Sequence, residues 1–295
     1  MDRPSLELLR RLAAARAIPM RPAPSSGWMQ ASDGVDLHYL DWAGGPETLI
    51  LLHGGSLSAH SFDLLALAMG EGVRCVALDL RGHGLSGWAD SYPVERAAAD
   101  VIELADRLGV ATLHLAGMSL GGCVAGHAAP GLGARLASLA FIDVGPDVRF
   151  AATARMRAFM ASVRPATCVE EVVRWALAVS PRTDPDLMLY RYQSLLKPGP
   201  EGFVWRADRR RPTDFAHILG RVAELAGQAG QVQCPVLVVK GRRSRVLSRA
   251  AARAFADRFP RGDWAMVSDA GHNIQEDQPL ALAATLRAHI QEMSR

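Results

Sequence analysis

Aromatic residues are scarce in this 295-residue chain, at 6%, and there are only four cysteines, at 75, 123, 168 and 234. Their wide spacing matches neither a disulfide framework nor a zinc site. With three of them in or beside apolar segments, they read as buried free thiols in a reducing compartment. No run of 18 apolar residues occurs, which excludes a membrane-spanning helix of ordinary length. The opening "MDRPSLELLRRLAAARAIPM" is charged throughout and has no apolar stretch leading to a processing site, so the expectation is a cytoplasmic protein with a docked N-terminal helical extension over residues 1–25. A charge excess is missing too: 33 basic and 30 acidic residues leave a net charge of +3, which argues against nucleic acid as a partner. The local "RADRRR" of Arg206–Arg211 reads as a solvated loop. Nine histidines are present without a pattern such as H-E-x-x-H, and neither a metal nor a cofactor is implied.

The 49% apolar content is sufficient for one large α/β domain and a helical subdomain. Short apolar runs end in glycine-rich turns: "TLILL" before "HGG", "VRCVALDL" before "RGHG", and "TLHLA" before "GMSLGG". "LASLAFIDV", "PVLVVK" and the stretch Trp264–Val267 repeat the rhythm. Continuous apolar strands of this kind suit a mostly parallel sheet flanked on both faces by helices. Helical spacing falls at Val94–Leu108 and Arg249–Phe259, the second starting at a serine cap, Ser248. "WMQASDGVDLHYLDWAG" predicts a hairpin turning at Asp33-Gly34, so the early part of the sheet is expected to be antiparallel.

After Gly145 the strand rhythm stops until Gln233. Helical spacing appears at 152–162, 168–179, 186–196 and 215–229, separated by Pro181, Pro185, Pro198, Pro200 and Pro212. The expected division is a core of 26–145 and 230–295 with a helical lid, 146–229, inserted after the "LASLAFIDV" strand. Such a lid would cover the carboxyl edge of the sheet, where open α/β folds bind ligands. Its Met156, Phe159, Trp175, Met188 and Trp205 are candidates to line an apolar pocket with Ser56 and Met118.

Gly117-Met118-Ser119-Leu120-Gly121 matches G-x-S-x-G between a strand and a small-residue helix. A sharp strand-to-helix turn lifts the serine oxygen above the sheet edge, and its strained backbone needs small neighbours. The Leu120 amide, in the first turn of the helix, and the Gly55 amide of "HGGS" are the candidate donors to an oxyanion. His272, in "SDAGHNIQE" after the last strand, is the candidate base for Ser119. His53 and His83 read as hydrogen-bonding residues that shape their loops.

These segments, with "FIDVGPDV", "CPVLVVKGRRSRVLS" and "AGHNIQEDQP", resemble the α/β-hydrolase superfamily in the expected order from about Trp28 onward. The similarity is greatest to bacterial esterase- and lactonase-like members with a helical cap. It implies Ser119 as nucleophile, His272 as base, and Gly55 and Leu120 at the oxyanion positions. In that group the loop after the "PVLVVK" strand normally carries the catalytic aspartate, and here that position is Arg245. An arginine cannot accept a proton contact from imidazole. Asp143, closing the strand after the nucleophile strand, is the best substitute. Asp147, Glu276 and Asp277 are less well placed, and Asp79 beside Arg81 is expected to form a structural pair.

The resulting expectation is serine-dependent hydrolysis of a small or medium, largely apolar carboxylic ester or lactone through an acyl-enzyme. Carbon–carbon bond hydrolysis, thioester hydrolysis and acyl transfer remain compatible. So does a different class, a catalytically weak ligand-binding protein that has kept the fold. The sequence is also compatible with a homodimer.

Overall fold

The computed structural model describes residues 4–149, 151, 154–162, 165–210 and 215–291. Its centre is an eight-stranded sheet in the order β1-β2-β4-β3-β5-β6-β9-β10. The strands are β1 (Ser25–Gln30), β2 (Asp36–Trp42), β3 (Glu47–Leu52), β4 (Val73–Leu78), β5 (Leu113–Met118), β6 (Leu136–Ile142), β9 (Val236–Gly241) and β10 (Gly262–Val267). β2 pairs antiparallel with β1 and β4, and the other pairings are parallel. The expected hairpin is present, and Gly34 in its turn has a φ of 86°, a left-handed value that glycine adopts without a Cβ clash.

Alternate residues of each strand feed opposite faces, so the sheet separates two cores. On one face Ile50, Leu52, Val76, Leu78 and Leu115 pack with α3 (Val94–Arg107), α4 (Leu120–Leu132) and α9 (Arg249–Ala256). On the other, Leu49, Leu51, Cys75, Ala77 and Ala116 pack with α1 (Leu6–Ala14), α2 (Asp63–Met69) and α11 (Pro279–Gln291). Ser5 caps α1 through Leu8 N–H, and Leu8, Leu9 and Leu12 bury its apolar face. Ser248 caps α9 as expected, accepting from Ala251 N–H at 3.0 Å. The four cysteines are free; Cys75 and Cys123 are buried, and Cys168 and Cys234 are partly so. Among the described residues no helix is long and apolar enough to cross a membrane.

The helical insertion follows β6 and contains α5 (Ala154–Ser162), α6 (Val169–Val179), α7 (Pro185–Leu195) and α8 (Phe215–Gln228), close to the predicted spans. Between α7 and α8 lies an unpredicted hairpin, β7 (Leu196–Gly199) with β8 (Gly202–Trp205). Pro198 and Pro200 read as chain breakers. Pro198 is tolerated because it lies on β7, an edge strand of the ribbon; the outer edge of β8 is instead bridged by Ala166 at Phe203.

The lid has its own core, in which Phe159, Met188, Tyr192, Leu195 and Trp205 are buried. Of the "RADRRR" stretch, Arg211 lies outside the described residues and Arg209 and Arg210 are exposed, but its first part is less solvated than expected. Arg206 is buried and donates from Nε to Leu196 O at 3.0 Å, while buried Asp208 accepts from Arg210 and Tyr92.

Candidate active site

Ser119 stands between β5 and α4 with φ 52° and ψ −115°, a backbone conformation costly for any residue with a Cβ. Its glycine neighbours are required by contact. A Cβ on Gly117 would lie 2.2 Å from Gly121 O, and one on Gly121 would lie 2.1 Å from Leu52 O. The first turn of α4 therefore rests directly on the end of β3. Leu120 N–H, at the helix start, has no carbonyl one turn back to meet.

The loop after β3 is held by His53, which is fully buried. Nδ1 donates to Gly54 O at 2.8 Å, and Nε2 accepts from Leu80 N–H at 3.0 Å. Burial, with His83 nearby, lowers the His53 pKa to about 4, so the ring is neutral and in the Nδ1–H tautomer. This fulfils the loop-shaping role expected of His53. A Cβ on Gly54 would meet Met118 Sδ at 2.5 Å and Ser119 Cβ at 3.4 Å, so the loop backbone passes directly over the serine. Gly55 follows, beside the Leu120 side chain, and Ser56 has a left-handed φ of 63°.

Asp143 closes β6 and is completely buried, with a φ of 51°. Its carboxylate is the meeting point of two strand ends. Oδ1 accepts from Gly241 N–H at 3.2 Å, while Oδ2 accepts from Ser244 Oγ and lies 2.7 Å from His272 Nδ1. With Nδ1–H donating to this acid, Nε2 is left as the basic nitrogen of His272. Lys240 pins the turn that supplies these donors, giving hydrogen bonds to Gly241 O at 2.6 Å and Ser244 O at 3.3 Å. Burial lowers the Lys240 pKa, and the Asp143 carboxylate opposes that shift. Arg245 is exposed, and the neighbouring Val246 is the residue that turns inward.

The other acids are otherwise engaged. Asp147 is exposed. Asp277 Oδ2 accepts from Gly271 N–H at 2.7 Å, and Glu276 accepts two hydrogen bonds from Arg191. Asp79 does not pair with Arg81 as expected. It contacts His38 at 2.7 Å and accepts from Ala59 and Leu85 N–H, while Arg81 turns to Asp33 and Asp100. Burial raises the Asp79 pKa, but these contacts overcome it and bring the value to about 2.

Ser119, His272, Gly55 and Leu120 line one cavity of about 330 Å³ between the sheet edge and the lid. Of the expected pocket residues, Ser56, Met118 and Met156 line it. Phe159, Trp175, Met188 and Trp205 do not; they pack in or against the lid's own core, where large side chains bury most area. Their places along the wall are taken by Val144, Val148, Met160, Val222 and Val246. The sequence reading also missed Arg191, Ser180, Thr183 and Asn273 on the lining. Asn273 adjoins His272 in the chain and was within reach of inference; the lid residues gave no local signal. No cluster able to hold a metal occurs among the described residues.

Comparison with known proteins agrees with this architecture. The chain is similar to the 3-hydroxybutyrate-oligomer hydrolase of Cupriavidus necator, 28% identical over 275 residues that cover 86% of this chain and 93% of that one. It is 29% identical to Esterase Rv0045c of Mycobacterium tuberculosis over 84% of each chain. The crystal structure of that esterase superposes with a TM-score of 0.78 at 26% identity, covering 96% of both chains. E-2-(acetamidomethylene)succinate hydrolase shares the fold, with a TM-score of 0.77 at 23% identity over 91% of this chain and 99% of that one. Residues 49–285 match the family described as the alpha/beta hydrolase family, a span that takes in the sheet from β3 onward, the lid and the histidine loop. The chain therefore belongs to the alpha/beta hydrolase family.

Proposed function

We propose that the protein hydrolyses small or medium, largely apolar carboxylic esters, lactones among them, through an acyl-enzyme on Ser119. The observation that carries this reading is the 2.7 Å contact of His272 Nδ1 with buried Asp143, in the wall of the cavity that also holds the Ser119 elbow. His272 Nε2 takes the Ser119 proton, the alkoxide attacks the ester carbonyl, and the Gly55 and Leu120 amides stabilise the oxyanion. His272 then protonates the departing alcohol. Water, deprotonated by the same histidine, attacks the acyl-enzyme and frees the acid and Ser119. Asp143 holds the ring in the required tautomer and stabilises imidazolium throughout.

The cavity volume and aliphatic lining support a compact, mainly apolar substrate. Relatives named as an esterase and as an oligomer hydrolase support ester chemistry. An intact acid–base contact weighs against the ligand-binding alternative, since binding alone does not require it. In the same reading, residues 26–145 and 230–295 form the hydrolase body, 146–229 the cap and 1–25 a docked extension.

The test is covalent labelling by a fluorophosphonate together with turnover of a short activated ester. We expect stoichiometric labelling at Ser119 and hydrolysis, both abolished in Ser119→Ala. Folded parent protein that neither labels nor hydrolyses would refute the proposal.

A further inference from the structure

Arg191 is the one arginine or lysine lining the cavity among the described residues. It lies on α7 of the lid, and its side chain is 12% exposed. Nε and Nη2 donate to Glu276 at 3.1 and 2.6 Å, and Glu276, in α10 (Ile274–Asp277), is 5% exposed at its side chain. The carboxylate contact outweighs burial and keeps the guanidinium charged, while burial raises Glu276 above the usual range for a glutamate. A guanidinium carries five N–H groups in one plane. Two are spent on Glu276, and the protein neighbour of Nη1 is the weakly accepting sulfur of Met188 at 3.9 Å. The ion pair therefore leaves a guanidinium edge that meets no oxygen among the described residues.

Charge decides what that edge accepts. Glu276, behind the lining, already balances Arg191, and Asp277 places a further carboxylate on the lining itself. An anionic ligand would meet an excess of negative charge, whereas a neutral oxygen gains a charge-assisted hydrogen bond without a charge penalty. We infer that Arg191 is a specificity-determining residue that selects esters carrying a second, uncharged oxygen acceptor remote from the scissile carbonyl. Ether, hydroxyl and further ester oxygens have the required chemistry. The inference rests on the ester-hydrolysis reading of Ser119. Along the stretches of wall made by Val, Leu and Met, an oxygen without a donor would bind worse than the methylene it replaces. Arg191 reverses that preference.

The test measures kcat/KM for a panel of alkyl esters, each paired with isosteres in which one methylene of the acyl or alcohol chain is replaced by oxygen. In the parent, at least one isostere is expected to exceed its hydrocarbon partner by about tenfold, mainly through KM. The double variant Arg191→Met/Glu276→Gln removes both charges without stranding either, and its ratio should fall to about one or below. Should that variant not fold, Arg191→Lys keeps the charge but loses the planar edge and should reduce the ratio at least about fivefold. A parent that hydrolyses the panel without favouring any oxygenated member, or a preference that survives in the variants, would overturn the Arg191 assignment alone. Hydrolysis of no ester in the panel would overturn both proposals.

Discussion

The turn after β6 and the turn after β9 leave neighbouring parallel strands, with Ile142 in register with Val239, yet they do opposite work. The first supplies one buried carboxylate on a left-handed residue, Asp143. The second supplies no carboxylate; it gives Gly241 N–H and Ser244 Oγ to that carboxylate and leaves Arg245 exposed. The imidazole needs an acceptor at one point in space, and here the β6 end puts a carboxylate there. An arginine at the usual acid position is therefore compatible with an assembled site, provided the adjacent strand end carries the charge. The β9 turn supports the Asp143 carboxylate, with Lys240 holding the turn's carbonyls in place.

The sharpest way to break this comparison is Asp143→Asn. If the β6 end carries the charge that His272 uses, kcat/KM for an activated ester should fall at least about a hundredfold and toward the roughly 10⁴ typical of losing the orienting acid. Ser119→Ala gives the blank, and circular dichroism checks that the variant is folded. A loss under about tenfold would mean that Asp143 serves to tie the two turns together rather than to orient the base.

The sequence was most legible where the interaction is local. The elbow reads directly because Gly117, Ser119 and Gly121 lie within one turn, and a Cβ on Gly117 would clash with Gly121 itself, although the clash at Gly121 is with the distant Leu52. His272 followed from chain order. Asp143 could be named but not fixed, because its contact with His272 joins residues 129 positions apart. The Asp79–His38 contact, 41 positions apart, was missed for the same reason, and the adjacent Arg81 was a misleading partner. In the lid, helix spans were readable from periodicity, but the direction of each apolar side chain was not. Met156 faces the cavity, while Met188 is fully buried in the lid core, and composition does not distinguish them.

A smaller effect tests the supporting turn. Ser244→Ala removes the hydroxyl donor to Asp143 Oδ2 while leaving Gly241 N–H on Oδ1. A hydrogen bond to a charged group contributes about 1.5–3 kcal/mol, and the remaining donor should limit the catalytic loss to about tenfold in kcat/KM. Thermal unfolding should also shift down. If Tm falls and kcat/KM does not, Ser244 braces the turn without setting the position of the carboxylate.

Arg245→Ala should have the smallest effect, and for that reason it separates two explanations of the arginine. Were the guanidinium close enough to oppose a charged imidazole, its removal would move the acidic limb of the kcat/KM profile to higher pH. An exposed guanidinium is instead screened by water and salt over roughly 8 Å at physiological ionic strength. We therefore expect kcat/KM within about twofold of the parent and a limb displaced by less than about 0.3 pH units. Introducing Arg245→Asp into Asp143→Asn examines the same position from the other side. Because residue 245 is directed to solvent while Val246 packs inward, the new carboxylate should not restore activity. Recovery of more than about tenfold would show that the β9 turn can still present an acid to His272, making the division of work between the two strand ends a matter of residue identity rather than backbone shape.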